Sequence, residues 1–166
     1  MTEKQQRIRW ILERAIHTFN RNEQYLLAND LSERCICAKF AMYLERAVRR
    51  SPFKDYITDV EYNRGMGGND HAKKMLQGND VTLDLIVHKR GQICHTDIIG
   101  YDNLLAIEMK KQGLDFSWDM NRLQMLVDNA FGFCYRAGFA VRIVEDAQHG
   151  VYELRIEKEY YNLCDF

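Results

Sequence analysis

Near the start of the chain apolar residues recur with the period of a helix. Ile8, Ile11, Leu12, Ala15, Ile16 and Phe19 fall at i, i+3, i+4, i+7, i+8 and i+11, which is one face of an amphipathic helix over about residues 4–19. Asn20-Arg21-Asn22 weakens that pattern and Asn29-Asp30 breaks it. Asp30-Leu31-Ser32-Glu33 then reads as a capping box, an acidic residue following its cap by one turn, and it opens a second helix. Cys37, Phe40, Leu44 and Val48 give this helix its buried stripe. Pro52, the only proline, predicts its end near Arg50.

Beyond the proline the period shortens to two. Residues 56–63 read as a strand, and a glycine-bearing stretch over 65–80 (Gly65, Gly67, Gly68, Gly78) reads as a mobile loop. Residues 81–88 are a strand rich in leucine and β-branched residues, Lys89-Arg90-Gly91 is a turn, and 103–110 is another strand. Leu123, Leu126, Val127 and Ala130 mark a third helix starting near Ser117, and strands over 139–145 and 151–157 meet at a His149-Gly150 turn. The order is α, α, β, β, β, α, β, β, with no internal repeat and no linker, and it predicts one domain.

Composition narrows the class. A chain of 166 residues that is 46% apolar and 28% charged is that of an ordinary globular protein. No run approaches the roughly 20 apolar residues that span a bilayer. Residues 1–9 are polar with no apolar signal core behind them, so a cytoplasmic location is expected. Five cysteines (35, 37, 94, 134, 164) are an odd, scattered set without a CxxC pair, and read as reduced thiols rather than as a zinc site. A net charge of −1 does not advertise nucleic-acid binding. Positive charge is local instead, at Arg46-Arg49-Arg50-Lys54, Lys73-Lys74, Lys89-Arg90 and Lys110-Lys111. Such clusters are solvated faces or contacts for a polyanion.

Strand parity then picks out the candidate chemistry. Glu108 and Lys110 share one face of their strand, while Leu105, Ile107 and Met109 take the other. In the preceding strand Leu83, Leu85 and Val87 share a face and Asp84 stands opposite them. Strands that pair lie about 4.8 Å apart, so Asp84 and Glu108 can converge on one ion with Lys110 beside it. A salt bridge of Asp84 with Lys110, leaving Glu108 to solvent, is the structural alternative, since a carboxylate in a buried strand needs a partner.

Asp84, then 23 residues, then Glu108-Met109-Lys110 resembles the D…(D/E)-x-K signature of the PD-(D/E)XK nuclease superfamily. The spellings Asp84-Leu85-Ile86-Val87-His88-Lys89-Arg90-Gly91 and Asn103-Leu104-Leu105-Ala106-Ile107-Glu108-Met109-Lys110-Lys111 are similar to small bacterial and phage members. Val60-Glu61-Tyr62-Asn63-Arg64 and Ser32-Glu33-Arg34 resemble that group's first strand and catalytic-side helix. The likeness covers about residues 31–156. Leu83, after Thr82, occupies the slot of the signature's proline, and the 65–80 loop has no counterpart.

The resemblance implies an α/β fold of the restriction endonuclease-like kind: a mixed sheet flanked by helices, an αβββαβ core over 31–156, an extra N-terminal helical extension over 1–30 and a tail over 157–166. It implies a Mg²⁺ (or Mn²⁺) dependent nuclease acting on DNA in preference to RNA and leaving a 5′-phosphate. Asp84 and Glu108 would hold the metal, with the Met109 carbonyl and Glu61. Lys110 and Glu33 would be catalytic beside them. Glu33 has its cap role as an alternative, and Glu61 has Arg64 as an alternative partner. Lys73, Lys74, His88, Lys89, Arg90 and Lys111 would contact nucleic acid, and Gln124 is a polar candidate on the third helix. No membrane partner is expected. A homodimer or a recognition subunit would supply sequence specificity. The alternative function is a non-catalytic module on the same fold that binds nucleic acid or protein; an enzyme of other phosphate esters is a third.

Overall fold

The six apolar residues of the first helical stripe are all buried, and the helix that carries them, α1 (Glu3–Asn22), is longer than its stripe. Its start is fixed by Thr2, whose hydroxyl accepts from the Gln5 amide while the Gln5 side chain accepts from the Thr2 amide, so two otherwise unpaired donors are satisfied together. The molecule is described by a computed structural model covering residues 1–29, 31–63, 75–90, 103–131 and 133–163. Lys73 and Lys74, and the glycines at 65, 67 and 68, lie outside the described residues.

A short helix, α2 (Gln24–Ala28), follows, and then α3 (Glu33–Arg49). The cap of α3 is Ser32, whose Oγ accepts from the Cys35 amide at 3.3 Å. The capping box expected from Asp30 is therefore corrected: Glu33 is the first helical residue, and its carboxylate turns to a different strand. Phe19 of α1 meets Phe40 and Tyr43 of α3 edge-on, with centroids 5.4 Å apart in both pairs. Each large side chain buried here stabilises the fold by about 1.5–3 kcal/mol relative to leaving it in water.

Strands β1 (Ile57–Tyr62), β2 (Met75–Leu76), β3 (Asn79–Asp80), β4 (Leu83–His88) and β5 (Asn103–Lys111) precede helix α4 (Ser117–Val127), and β6 (Ala137–Asp146) and β7 (Val151–Tyr161) follow it. Among the described residues the larger sheet has five strands in the order β1-β4-β5-β6-β7. β4 is antiparallel to β1 and β5, β5 is parallel to β6 through the α4 crossover, and β6 is antiparallel to β7. This is a mixed α/β architecture.

The 65–80 region does not end as loop. β2 and β3 form a small hairpin whose turn residues, Gln77 and Gly78, have φ of 49° and 82°. Two successive positive φ values are those of the tight hairpin turn that matches strand twist, and glycine takes the second without a Cβ penalty.

Both faces of the sheet are covered. Leu85, Val87, Leu105, Ile107 and Met109 pack with α1 and α3, while Ile86, Ala106 and Ala140 pack with Leu123, Leu126 and Val127 of α4. Leu83 departs from its expected face and joins the α4 side. The departure coincides with Glu61, whose φ is 47° where β1 would pair with Asp84, and beyond it Tyr62 pairs with Leu83.

β7 replaces much of the expected tail. It runs through Tyr161, whose ring lies 5.9 Å from that of Phe139, so residues 157–161 belong to the sheet. Its outer edge is covered by amides. Asn20 donates to the Leu154 carbonyl at 3.0 Å and accepts its N–H at 2.8 Å, and Gln24 does the same for Tyr152 at 2.6 and 3.2 Å. An uncovered edge of this length would invite pairing with another chain. Among the described residues no helix is long and apolar enough to cross a membrane.

Candidate functional site

The site follows from a mismatch in strand length. β5 pairs with β6 as far as Lys111, but its ladder with β4 stops at Leu85 opposite Ile107. The amides of Met109 and Lys111 lie two residues apart and so point to the same, vacated edge. Buried amides must be paired, and here two carboxylates take the place of the missing strand. Asp84 Oδ2 accepts from Met109 at 2.7 Å, and Glu33 Oε1 accepts from Lys111 at 2.8 Å. Extending the register by one step sets Asp84 opposite Glu108.

Glu108 is 2% exposed. Burial pushes its carboxyl well above the ordinary range; Arg122 opposes the shift, and Asp84 and Asp119 add to it. Asp84 is also raised, first by burial, against the relief of the Met109 amide and a hydrogen bond with Glu108. The Cys37 thiol is raised by burial first, and then by the charges of Asp84, Glu108, Glu33 and Glu61. Its Sγ lies 3.7 Å from the sulfur of Met109.

The other half of the site comes from α4, seated on a floor of small residues. Gly138 pairs with Ala106, and Ala140 lies two residues further along β6. A Cβ on Gly138 would stand 3.3 Å from the Leu123 carbonyl oxygen, so the missing side chain lets the helix backbone approach the sheet. That approach brings two α4 side chains onto β5. Arg122 Nε donates to Glu108 Oε1 at 2.8 Å, its Nη2 lies 2.6 Å from the same oxygen, and Nη2 also donates to Asp119 Oδ1 at 2.8 Å. Lys110 Nζ binds the other oxygen of Asp119 at 3.0 Å. Burial lowers the Lys110 ammonium, yet the hydrogen bond and charge of Asp119 more than offset it, and the group stays above its ordinary value.

Of the residues singled out in the sequence, Asp84, Glu108, Lys110, Glu33 and Met109 are brought together. Met109 touches Asp84 through its amide; its carbonyl is not seen in that contact. Lys110 pairs with Asp119 and Glu108 is buried, so the structural alternative, a salt bridge of Asp84 with Lys110 and a solvent-facing Glu108, is not found. Glu61 is across the register from Asp84, but its carboxylate pairs with Arg34 rather than with the metal pair, and Arg64 lies outside the described residues. His88, Lys89 and Arg90 sit at the far end of β4, roughly 13 Å or more from Asp84 at the rise of a strand.

There His88 is 5% exposed, its Nε2 is 2.8 Å from Asp59 and its ring packs on Tyr62. Arg90 also binds Asp59, and Lys89 lies over the Tyr56 ring at 5.1 Å. These three form a polar cluster with Asp59 at the opposite end of β4 from the carboxylates. Lys111 stays at the site through its amide. Gln124 is exposed, and the polar group that α4 extends to Glu108 is Arg122.

Asp119 and Arg122 were not expected. A signal for the first was present, because Asp119, Leu123 and Leu126 fall at i, i+4 and i+7 and so place an acid on the buried stripe. Arg122 follows Asp119 by one turn.

Among the described residues no three histidine, cysteine or acidic side chains are grouped to hold a metal between them. Asp84 and Glu108 fit a hard divalent ion that keeps several of its waters, as magnesium does, and do not fit a cage built wholly of protein. Three carboxylates (Asp84, Glu108, Asp119) face two cations (Arg122, Lys110) in this network, an imbalance in the direction that a bound cation relieves. No family model, curated protein or solved structure matches the chain.

Proposed function

We propose that the chain is a metal-dependent nuclease that hydrolyses phosphodiesters, DNA in preference to RNA, on a restriction endonuclease-like core. The observation that carries this reading is the overrun end of β5, where Asp84 and Glu108 oppose each other and Lys110 follows on the Glu108 face. The run α3-β1-β4-β5-α4-β6 has the order αβββαβ that the resemblance implies. Asp84 and Glu108 would hold the ion, which when bound supplies neutralising charge and Lewis acidity at a phosphodiester.

Lys110 is 27% exposed at the rim, where its ammonium can donate to a non-bridging oxygen or orient the attacking water, and Asp119 aims it. Glu33 at the same strand end is the second polar group within reach of that water. A homodimer or a partner subunit would supply the recognition surface and, where both strands of a duplex are cut, a second site. The reading places the protein in the cytoplasm, with its substrate.

A second reading, a non-catalytic module binding nucleic acid or protein, is favoured by Arg122, which already pairs with Glu108 as a metal would. Cleavage of plasmid, single-stranded DNA and RNA with Mg²⁺, Mn²⁺ or EDTA separates the two. The nuclease reading expects metal-dependent cutting that Asp84→Ala and Lys110→Ala abolish. Intact substrates throughout, with no ion bound by the wild type, would make the carboxylate site structural and leave the module reading in its place.

A further inference from the structure

We propose that the cleft between the β2–β3 hairpin and α4 seats one unpaired nucleobase, stacked on Trp118. The inference rests on the nucleic-acid reading above and adds to it a strand preference. Trp118, Asn121, Arg122 and Met125 fall at i, i+3, i+4 and i+7 and form one stripe of α4, and that stripe lines the cleft opposite Gln77 and Asn79 of the hairpin.

Trp118 is 63% exposed in spite of its size, which leaves an indole face to solvent at the mouth. A flat ring ordinarily finds such a surface by stacking, and the contact tolerates any base because every base has a π-face. Around it the side-chain amides of Gln77, Asn79 and Asn121 offer both donors and acceptors, the complement of a base edge.

Size limits the occupant. The cavity is about 70 Å³, roughly half of the 150 Å³ that holds a benzene ring in an engineered core. A base edge can enter while the ring rests on Trp118, but a base pair cannot.

Charge limits it too. Arg122 lines the cleft, yet its guanidinium is engaged by Glu108 and Asp119, and Asp80 stands on the opposite wall. A free anion has little to bind there. Position supplies the last element: Arg122 both lines the cleft and binds Glu108, so the cleft adjoins the carboxylate site. The enzyme would accordingly take single strands, ends or loops, and a duplex only where it opens.

The test is made in EDTA, so that binding is read without cleavage, in a Trp10→Phe background that leaves Trp118 as the reporter indole. The probes are a short labelled oligothymidine, the matching duplex and polyphosphate. The single strand is expected to quench Trp118 saturably, and polyphosphate is not. Trp118→Ala is expected to weaken single-strand binding by about fivefold or more, Trp118→Phe to restore most of it, and the duplex to bind more weakly than the strand. Circular dichroism confirms that this exposed site tolerates both changes. Unchanged affinity in Trp118→Ala, or unquenched emission, overturns the cleft assignment even where the protein still binds and cuts single strands. If no nucleic acid is bound or cut by the wild type, the nuclease reading falls together with it.

Discussion

Arg122 and Glu108 form a charge pair between α4 and the centre of the sheet, with Glu108 2% and Arg122 17% exposed at the side chain. Removing one partner of such a pair strands a buried charge, which costs about 3–5 kcal/mol. Arg122→Ala is therefore expected to lower unfolding stability by about that amount in EDTA. Added Mg²⁺ should recover part of it, since a ligand at a hundred times its Kd stabilises by about 2.7 kcal/mol. Thermal or urea unfolding with and without the ion measures both effects. A Mg²⁺ response absent from wild type and variant alike would remove Asp84 and Glu108 as ligands.

Glu33 serves two roles that substitution can separate. Its carboxylate pairs the Lys111 amide, and a neutral amide side chain can do the same. Glu33→Ala should lose about 0.5–1.5 kcal/mol of stability, and Glu33→Gln should keep most of it. If the charge acts in the reaction, Glu33→Gln should nevertheless slow cleavage by about tenfold or more. Full activity in Glu33→Gln would leave Glu33 with the strand-end role alone.

Asp59 gives a pH signature away from the site. The Arg90 hydrogen bond lowers its pKa most, burial works against this, and His88 lowers it further. The folded value lies below the ordinary 3.8, so the native state binds fewer protons there than the unfolded chain. The resulting stability is present above that ordinary value and is lost as pH falls through the folded one. Asp59→Asn should flatten this acid limb in urea melts taken at a series of pH values. An unchanged limb would show that the Asp59 cluster is not what acid dissolves.

Gly138 tests how the α4 half of the site is held. Its backbone needs no positive φ, so the argument is one of space alone. Gly138→Val drives side-chain atoms into Leu123 and is expected to cost about 1–3 kcal/mol, as overpacking does. Because Asp119 and Arg122 ride on the same helix, cleavage should fall as well. Wild-type stability in that variant would refute the close approach.

The parts of this structure that were legible in the sequence are those that a local period encodes. Ile8 to Phe19 announced α1 because a stripe repeats on one helix, and Asp84, Glu108 and Lys110 stood out because a charge interrupts an apolar strand. Contacts set by distant segments were harder to read. Glu61 finds Arg34 from α3, and His88 meets Asp59 from a neighbouring strand. Arg122 looks like one more surface cation until Gly138 draws its helix onto the sheet. The Gln77-Gly78 turn escaped notice because its strands, two residues each, are too short to show alternation.

The amides of Asn20 and Gln24, which cover the edge of β7, set a timetable for synthesis. Leu154 and Asn20 are 134 residues apart, and neither half of their contact exists until the later residue has left the ribosome. At about 5–20 residues per second this delay is on the order of ten seconds. Through that interval α1 has α3 to pack on, through Phe19 with Phe40 and Tyr43, but lacks β7. The amide contacts that tie the first helix to the sheet edge are therefore among the last that synthesis allows.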